Sequence, residues 1–196
     1  MENSLVPKQL VGSKLDLESN NVFVSLAAAR QFYEIAKLRL MSVNQWDEIC
    51  NAPAAVFKLI NNRGQEIVGL VKEGDYIRIN IPGPGTKVGD GFDWVKVESI
   101  TEINNENDEI LSVTVRPTHH PLKIFSETAH FFKSEATSTF QVKRVGLKVL
   151  ALIHGRNELP NTATNSLFDK LRNLMVGWFA KIGFSYPQWK CLAEGL

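Results

Sequence analysis

The sequence predicts an α+β fold: a curved antiparallel β-sheet, or partly open barrel, of about seven strands, with two N-terminal helices and an amphipathic C-terminal helix packed on it. Three observations lead there. Apolar residues recur at helical spacing between residues 26 and 41. From residue 54 the period becomes alternating, with turn signals every 8 to 15 residues. Near the end, SLFDKLRNLMVGWFAKIG carries a broad apolar stripe.

The elements follow in chain order. NVFVS reads as a short extended piece, and Ser25 then serves as N-cap for LAAARQFYEIAKLRLM, where Ala29, Phe32, Ala36 and Leu40 share one face. Ser42 is placed to cap a second, short helix, VNQWDEIC, which Pro53 prevents from continuing. Five strands are then read from AAVFKLI, QEIVGLV, YIRINI, FDWVKVESITEI and EILSVTVRP. Their connections are too short for crossovers, so neighbours must be antiparallel. TSTFQVKR and LKVLALIH add a hairpin turning at Val145 and Gly146. In the last long helix Leu167, Phe168, Leu171, Leu174, Met175, Trp178 and Ile182 form the stripe, and SYPQWKCLAEGL reads as a short closing helix.

With 196 residues, 44% apolar and 22% charged, the chain suits one compact domain over 1–196, divisible into a helical N-terminal segment (residues 1–53), a meander (54–116) and a hairpin with C-terminal helices (117–196). No stretch reaches the ~18 apolar residues of a membrane span and the start lacks a secretory pattern, so the expected location is cytoplasmic. Cys50 and Cys191 match no zinc spacing and are expected as free thiols. The net charge of +1 gives no strong pull toward nucleic acid, although residues 1–116 balance to −4 and 117–196 to +5.

PGPGTKVGDG is the most motif-like stretch. A phosphate cradle needs a helix immediately after its glycines, and here a strand, FDWVKVESI, follows Gly91. The loop containing Gly83 and Gly85 is therefore expected to be a rigid strand connection, able to carry recognition but not a nucleotide cofactor. His119, His120 and His130 lack metal-ligand spacing, so no metal is expected. Lys143, Arg144 and Lys148 cluster at a hairpin tip, a pattern that protects a sheet edge more often than it binds nucleic acid.

HGRNELPN offers the densest polar set: His154, Arg156, Asn157 and Glu158, with Gly155 permitting close backbone approach. An Arg156–Glu158 ion pair and a turn capped by Asn157 would be its purely structural use. Trp94 alternates out of register with Val95 and Val97 and points to the other side of its sheet, as a packing residue or a binding surface.

The order of helix pair, meander and long final helix is similar to that of helix-grip ligand binders, a likeness of fold order that no local motif accompanies. The sequence thus points to a non-catalytic binding or interaction protein, without cofactor, whose recognition surface joins the Gly83–Gly85 loop, Trp94 and the residues His154, Arg156, Asn157 and Glu158. One alternative is a small apolar ligand held between sheet and C-terminal helix. The other is a hydrolase using His154 and Glu158 as acid and base.

Overall fold

The computed structural model describes residues 5–49, 55–82, 85–123, 127–162 and 185–196. In chain order the elements are β1 (Ser13–Val22), α1 (Leu26–Met41), a 3-10 turn (Val43–Gln45) running into α2 (Trp46–Ile49), and β2 (Val56–Ile60). They continue with β3 (Tyr76–Asn80), β4 (Asp93–Asn104), β5 (Asp108–Pro117), β6 (Thr137–Val145), β7 (Lys148–Glu158) and α3 (Ser185–Gly195). All seven strands join one antiparallel sheet in the order β1-β7-β6-β5-β4-β3-β2. The helix pair lies between the two edge strands in sequence, and this arrangement fits a helix-grip α+β fold.

Seven strands were expected, but one differs. QEIVGLV is not a strand: beyond a single bridge from Ile60 to Glu66, the Gln65 N–H donates to Asn61 Oδ1, the Ile67 N–H to the Leu59 carbonyl and the Val71 N–H to the Met41 carbonyl at the end of α1. The segment ties the β2 edge to the end of α1. The missing strand is β1, whose alternation Lys14-Leu15-Asp16-Leu17-Glu18 has only two large apolar members, as an edge strand tolerates.

Ser25 caps α1 as expected, its Oγ accepting from the Ala28 N–H at 3.2 Å. Ala29, Tyr33, Ala36 and Leu40 form the buried face; Phe32, expected there, is half-buried against Phe23 at 4.9 Å between ring centroids. Ser42 does not cap the second helix through its side chain. Its backbone N–H instead closes α1 on the Leu38 and Arg39 carbonyls.

The sheet's curvature follows from one side chain. Phe57 on β2 and Phe140 on β6 stand four strand intervals apart, ~19 Å in a flat sheet. Both rings nevertheless contact Trp46, with centroids at 5.4 and 5.0 Å. The sheet therefore curls around the indole, helped by the irregularity in β4 between Val97 and Ser99. On this concave face Leu17, Phe57, Ile77, Val95, Val113, Val142 and Ile153 join α1, Trp46 and, from the chain's end, Leu192, Ala193 and Leu196 in one core. A smaller cluster of Ile60, Tyr76, Trp94 and Ala129 occupies the convex face.

The apolar stripe over 167–182 and Cys50 lie outside the described residues, whereas Cys191 is a free, half-buried thiol. No helix among the described residues is long and apolar enough to cross a membrane.

Candidate functional site

Along β7 the side chains alternate strictly. Val149, Ala151 and Ile153 enter the concave core, so His154 and Arg156 do not share a face with their neighbour Gly155. His154 stands opposite Asp16 of β1 in the ladder, and its Nδ1–H donates to Asp16 Oδ1 at 2.6 Å, since a carboxylate can only accept. Arg156 donates from Nη2 to the same oxygen at 2.6 Å and from Nη1 to the Leu15 and Gly155 carbonyls at 3.0 and 2.7 Å. Burial pushes the Asp16 carboxyl up, but the hydrogen bonds and charges of His154 and Arg156 outweigh it and hold the group below its ordinary value.

The next three residues break the alternation. Ser13 pairs with Glu158 but Leu15 pairs with Gly155, so three steps on β7 face two on β1. Asn157 takes up the excess with φ of 56°, a left-handed conformation that Asn tolerates better than most residues. Its side chain clamps the N-terminal strap: Oδ1 accepts from the Leu10 and Val11 N–H groups at 2.7 and 3.1 Å, and Nδ2 donates to the Lys8 carbonyl at 3.1 Å. Gln9 Oε1 accepts the Asn157 N–H in return at 3.0 Å.

The bulge turns Glu158 onto the concave side. A Cβ built on Gly155 would lie 2.1 Å from Glu158 Oε1 and 3.2 Å from Leu15 Cβ, so the carboxyl sits directly over the glycine. The Ser13 hydroxyl is 3.4 Å from Glu158 Oε2, a long contact for an acid. Burial raises the Glu158 pKa to about 7, against the smaller opposing effects of the Ser13 hydroxyl and the Arg156 charge.

This geometry corrects three expectations. Arg156 is paired with Asp16 rather than with Glu158, and Asn157 holds the strap rather than a turn before Pro160. His154 and Glu158 project from opposite faces of the sheet, so they are not assembled as an acid and base for a hydrolase.

Glu158 also has a pH signature. Its folded pKa lies above the ordinary 4.5, so between pH 4.5 and 7 the native state holds more proton than the unfolded chain, and its contribution to stability falls as pH rises. At about 1.4 kcal/mol per unit the loss approaches ~3 kcal/mol above pH 7. Glu158→Gln is expected to match the wild type at pH 4.5 and exceed it by that order at pH 8 in urea unfolding. A variant less stable than wild type at pH 8 would contradict the placement of this acid.

Gly83 lies outside the described residues. Gly85 has no room for a side chain, since an added Cβ would stand 1.8 Å from the Gly91 carbonyl oxygen. The loop folds on itself: Gly89 N–H donates to Thr86 Oγ1, Gly91 N–H to the Thr86 carbonyl, Phe92 N–H to the Gly89 carbonyl, and Thr86 Oγ1 to the Phe92 carbonyl at 2.7 Å. Its donors are turned inward. Beneath it lies Trp94, 3% exposed, its Nε1–H donating to the Gly89 carbonyl at 2.9 Å and its ring edge-on to His120 at 4.6 Å. Trp94 thus supports the loop from the convex face. His120 is held below its usual pKa, mainly by burial, with Asp90 opposing. Among the described residues no group of three His, Cys, Asp or Glu is placed to hold a metal.

The loop and the β7 terminus emerge at the same end of the sheet but on strands three intervals apart, ~14 Å. The partners that sequence reasoning missed are Asp16 and Ser13. Their signal was the period-two run from Lys14 to Glu18, which marks β1 and places Asp16 opposite the face of Leu15 and Leu17.

No protein-family model matches the chain, and no curated protein matches it. Among solved structures, a hypothetical protein, jhp0584, from Helicobacter pylori is 9% identical, with 93% of this chain and 87% of that one covered and a TM-score of 0.48. Major latex-like protein 151 from Panax ginseng is 18% identical over 85% of this chain and 94% of that one, with a TM-score of 0.35. Norcoclaurine synthase from Thalictrum flavum, solved with dopamine and hydroxybenzaldehyde, is 12% identical over 93% and 86%, with a TM-score of 0.38.

Proposed function

We propose that the protein binds a small, mainly apolar molecule, without transforming it, on the concave face of the sheet at the end where β7 meets the N-terminal strap. The observation that carries this reading is a half-buried acid, Glu158, on a wall otherwise made of Leu15, Gly155 and the Ile153 side of the core. Ligand sites combine a mostly apolar lining with a few polar groups that fix orientation, and an acid displaced in pKa by burial in such a setting marks a candidate.

In this reading Glu158 meets the ligand. Asn157 secures the strap beside it, and His154 and Arg156 act through Asp16 to fix β1 against β7. The Gly83–Gly85 loop and Trp94 shape the neighbouring rim.

The test uses N-phenyl-1-naphthylamine, a neutral apolar fluorophore. Its emission is expected to rise saturably, at about one molecule per chain, and to fall when dodecanol competes. A linear rise that dodecanol does not reverse would overturn the reading.

A further inference from the structure

The surroundings of Glu158 narrow the class of ligand. A carboxylate on an apolar wall requires a counter-charge or hydrogen-bond donors, or it takes up a proton. Among the described residues the only side-chain hydrogen bond it receives is the 3.4 Å contact from the Ser13 hydroxyl. Among the described residues the charge that acts on it is Arg156, whose guanidinium is committed to Asp16 and to the Leu15 and Gly155 carbonyls.

The charged groups around Asp16 are engaged with one another. On β1, Lys14 lies 3.9 Å from Asp16, and Asp16 is shared by His154 and Arg156. The strap meets Asn157 through the Leu10 and Val11 N–H groups, the Lys8 carbonyl and Gln9 Oε1, while Gln9 Nε2 donates to the Val11, Gly12 and Ser13 carbonyls. Among the described residues the fold thus supplies the anion and leaves the cation to be brought in. The clearance over Gly155 keeps the carboxyl against the wall, since any larger residue there would displace it.

We propose that the molecule bound at this end carries a protonated amine on an apolar body, with Glu158 of β7 as its counter-ion. This rests on the binding reading above and names the ligand's class. Above the range in which Glu158 loses its proton, the ammonium and carboxylate pair in a poorly hydrated place, where charge-assisted hydrogen bonds are strongest. Below it the acid is neutral and the pairing is lost, while an alkylamine keeps its charge throughout.

The experiment compares dodecylamine with dodecanol as displacers of N-phenyl-1-naphthylamine from the full chain. At pH 8.5 dodecylamine is expected to act at about tenfold lower concentration, and the ratio to fall toward one at pH 5.5. Glu158→Gln, which preserves shape, is expected to abolish the difference at pH 8.5. Displacement by both compounds with no preference for the amine, a preference that persists at pH 5.5, or one that survives in Glu158→Gln overturns this inference and leaves the binding reading standing. No saturable binding of the fluorophore removes both. The pH series on the wild type decides the matter even where the variant folds poorly.

Discussion

Trp46→Ala is expected to destabilise the protein by about 4 kcal/mol, the upper range for removing a buried aromatic ring. The indole is 1% exposed, touches Phe57 and Phe140 from strands near opposite sides of the sheet, and donates from Nε1 to the Leu40 carbonyl at 3.2 Å. Its loss leaves a void at the point around which the sheet curls, and the strands cannot close over it without flattening against their own hydrogen-bonded register. Trp46→Phe keeps some of the packing and gives up the hydrogen bond, so ~1–2 kcal/mol is expected. Urea unfolding followed by circular dichroism reads both. A Trp46→Ala loss below ~1.5 kcal/mol would show that the ring is not where the two halves of the sheet meet.

The second large effect concerns Arg144. The sequence places it in a basic hairpin tip with Lys143 and Lys148, but its side chain is fully buried. It pairs through Nε with Glu109 of β5 and donates to the carbonyls of Glu106, Asn107 and Gly146 at 3.0–3.3 Å. One guanidinium thus holds the β4–β5 turn against the β6–β7 turn, and it is not available to a nucleic acid. Arg144→Ala is expected to cost about 3–5 kcal/mol, because Glu109 loses its counter-charge and three carbonyls lose their donor. Removing Glu109 as well is expected to recover about 1–3 kcal/mol of that loss in a double-mutant cycle. Full additivity of the two single changes would mean that the pair does not interact.

Most strands were legible because their chemistry is local. β4, β5, β6 and β7 show long alternation and turn residues at both ends, and α1 shows helical spacing with a serine cap. β1 was not, because it exposes one edge and most of its side chains, so its apolar content is too low to stand out. QEIVGLV failed in the opposite direction. Its apolar residues fit a strand, yet Val68 is 97% exposed and the backbone bonds are drawn to β2 and to the end of α1. Alternation reports what a segment could pair with, and only the available edges decide whether it does.

The candidate site divides in the same way. That residues 154–158 would gather polar contacts was readable from His154, Arg156, Asn157 and Glu158 standing together beside Gly155. Which face each would take was not, because one left-handed residue, Asn157, resets the alternation and sends Glu158 to the side away from His154 and Arg156. The partners come from Ser13 and Asp16, more than 130 residues away along the chain, and no spacing rule reaches that far.

By itself the sequence determined the fold class, the antiparallel order of strands with short connections, and the strand that follows the Gly/Pro loop. These depend on periodicity and turn chemistry, which act over a few residues. The tertiary structure alone decided that β1 closes the sheet on β7, that Arg144 is buried and Trp94 covered, and that Glu158 stands against an apolar wall while Arg156 turns to Asp16. Each of these outcomes depends on long-range pairing, and the environment that fixes burial and pKa exists only once distant strands are in register.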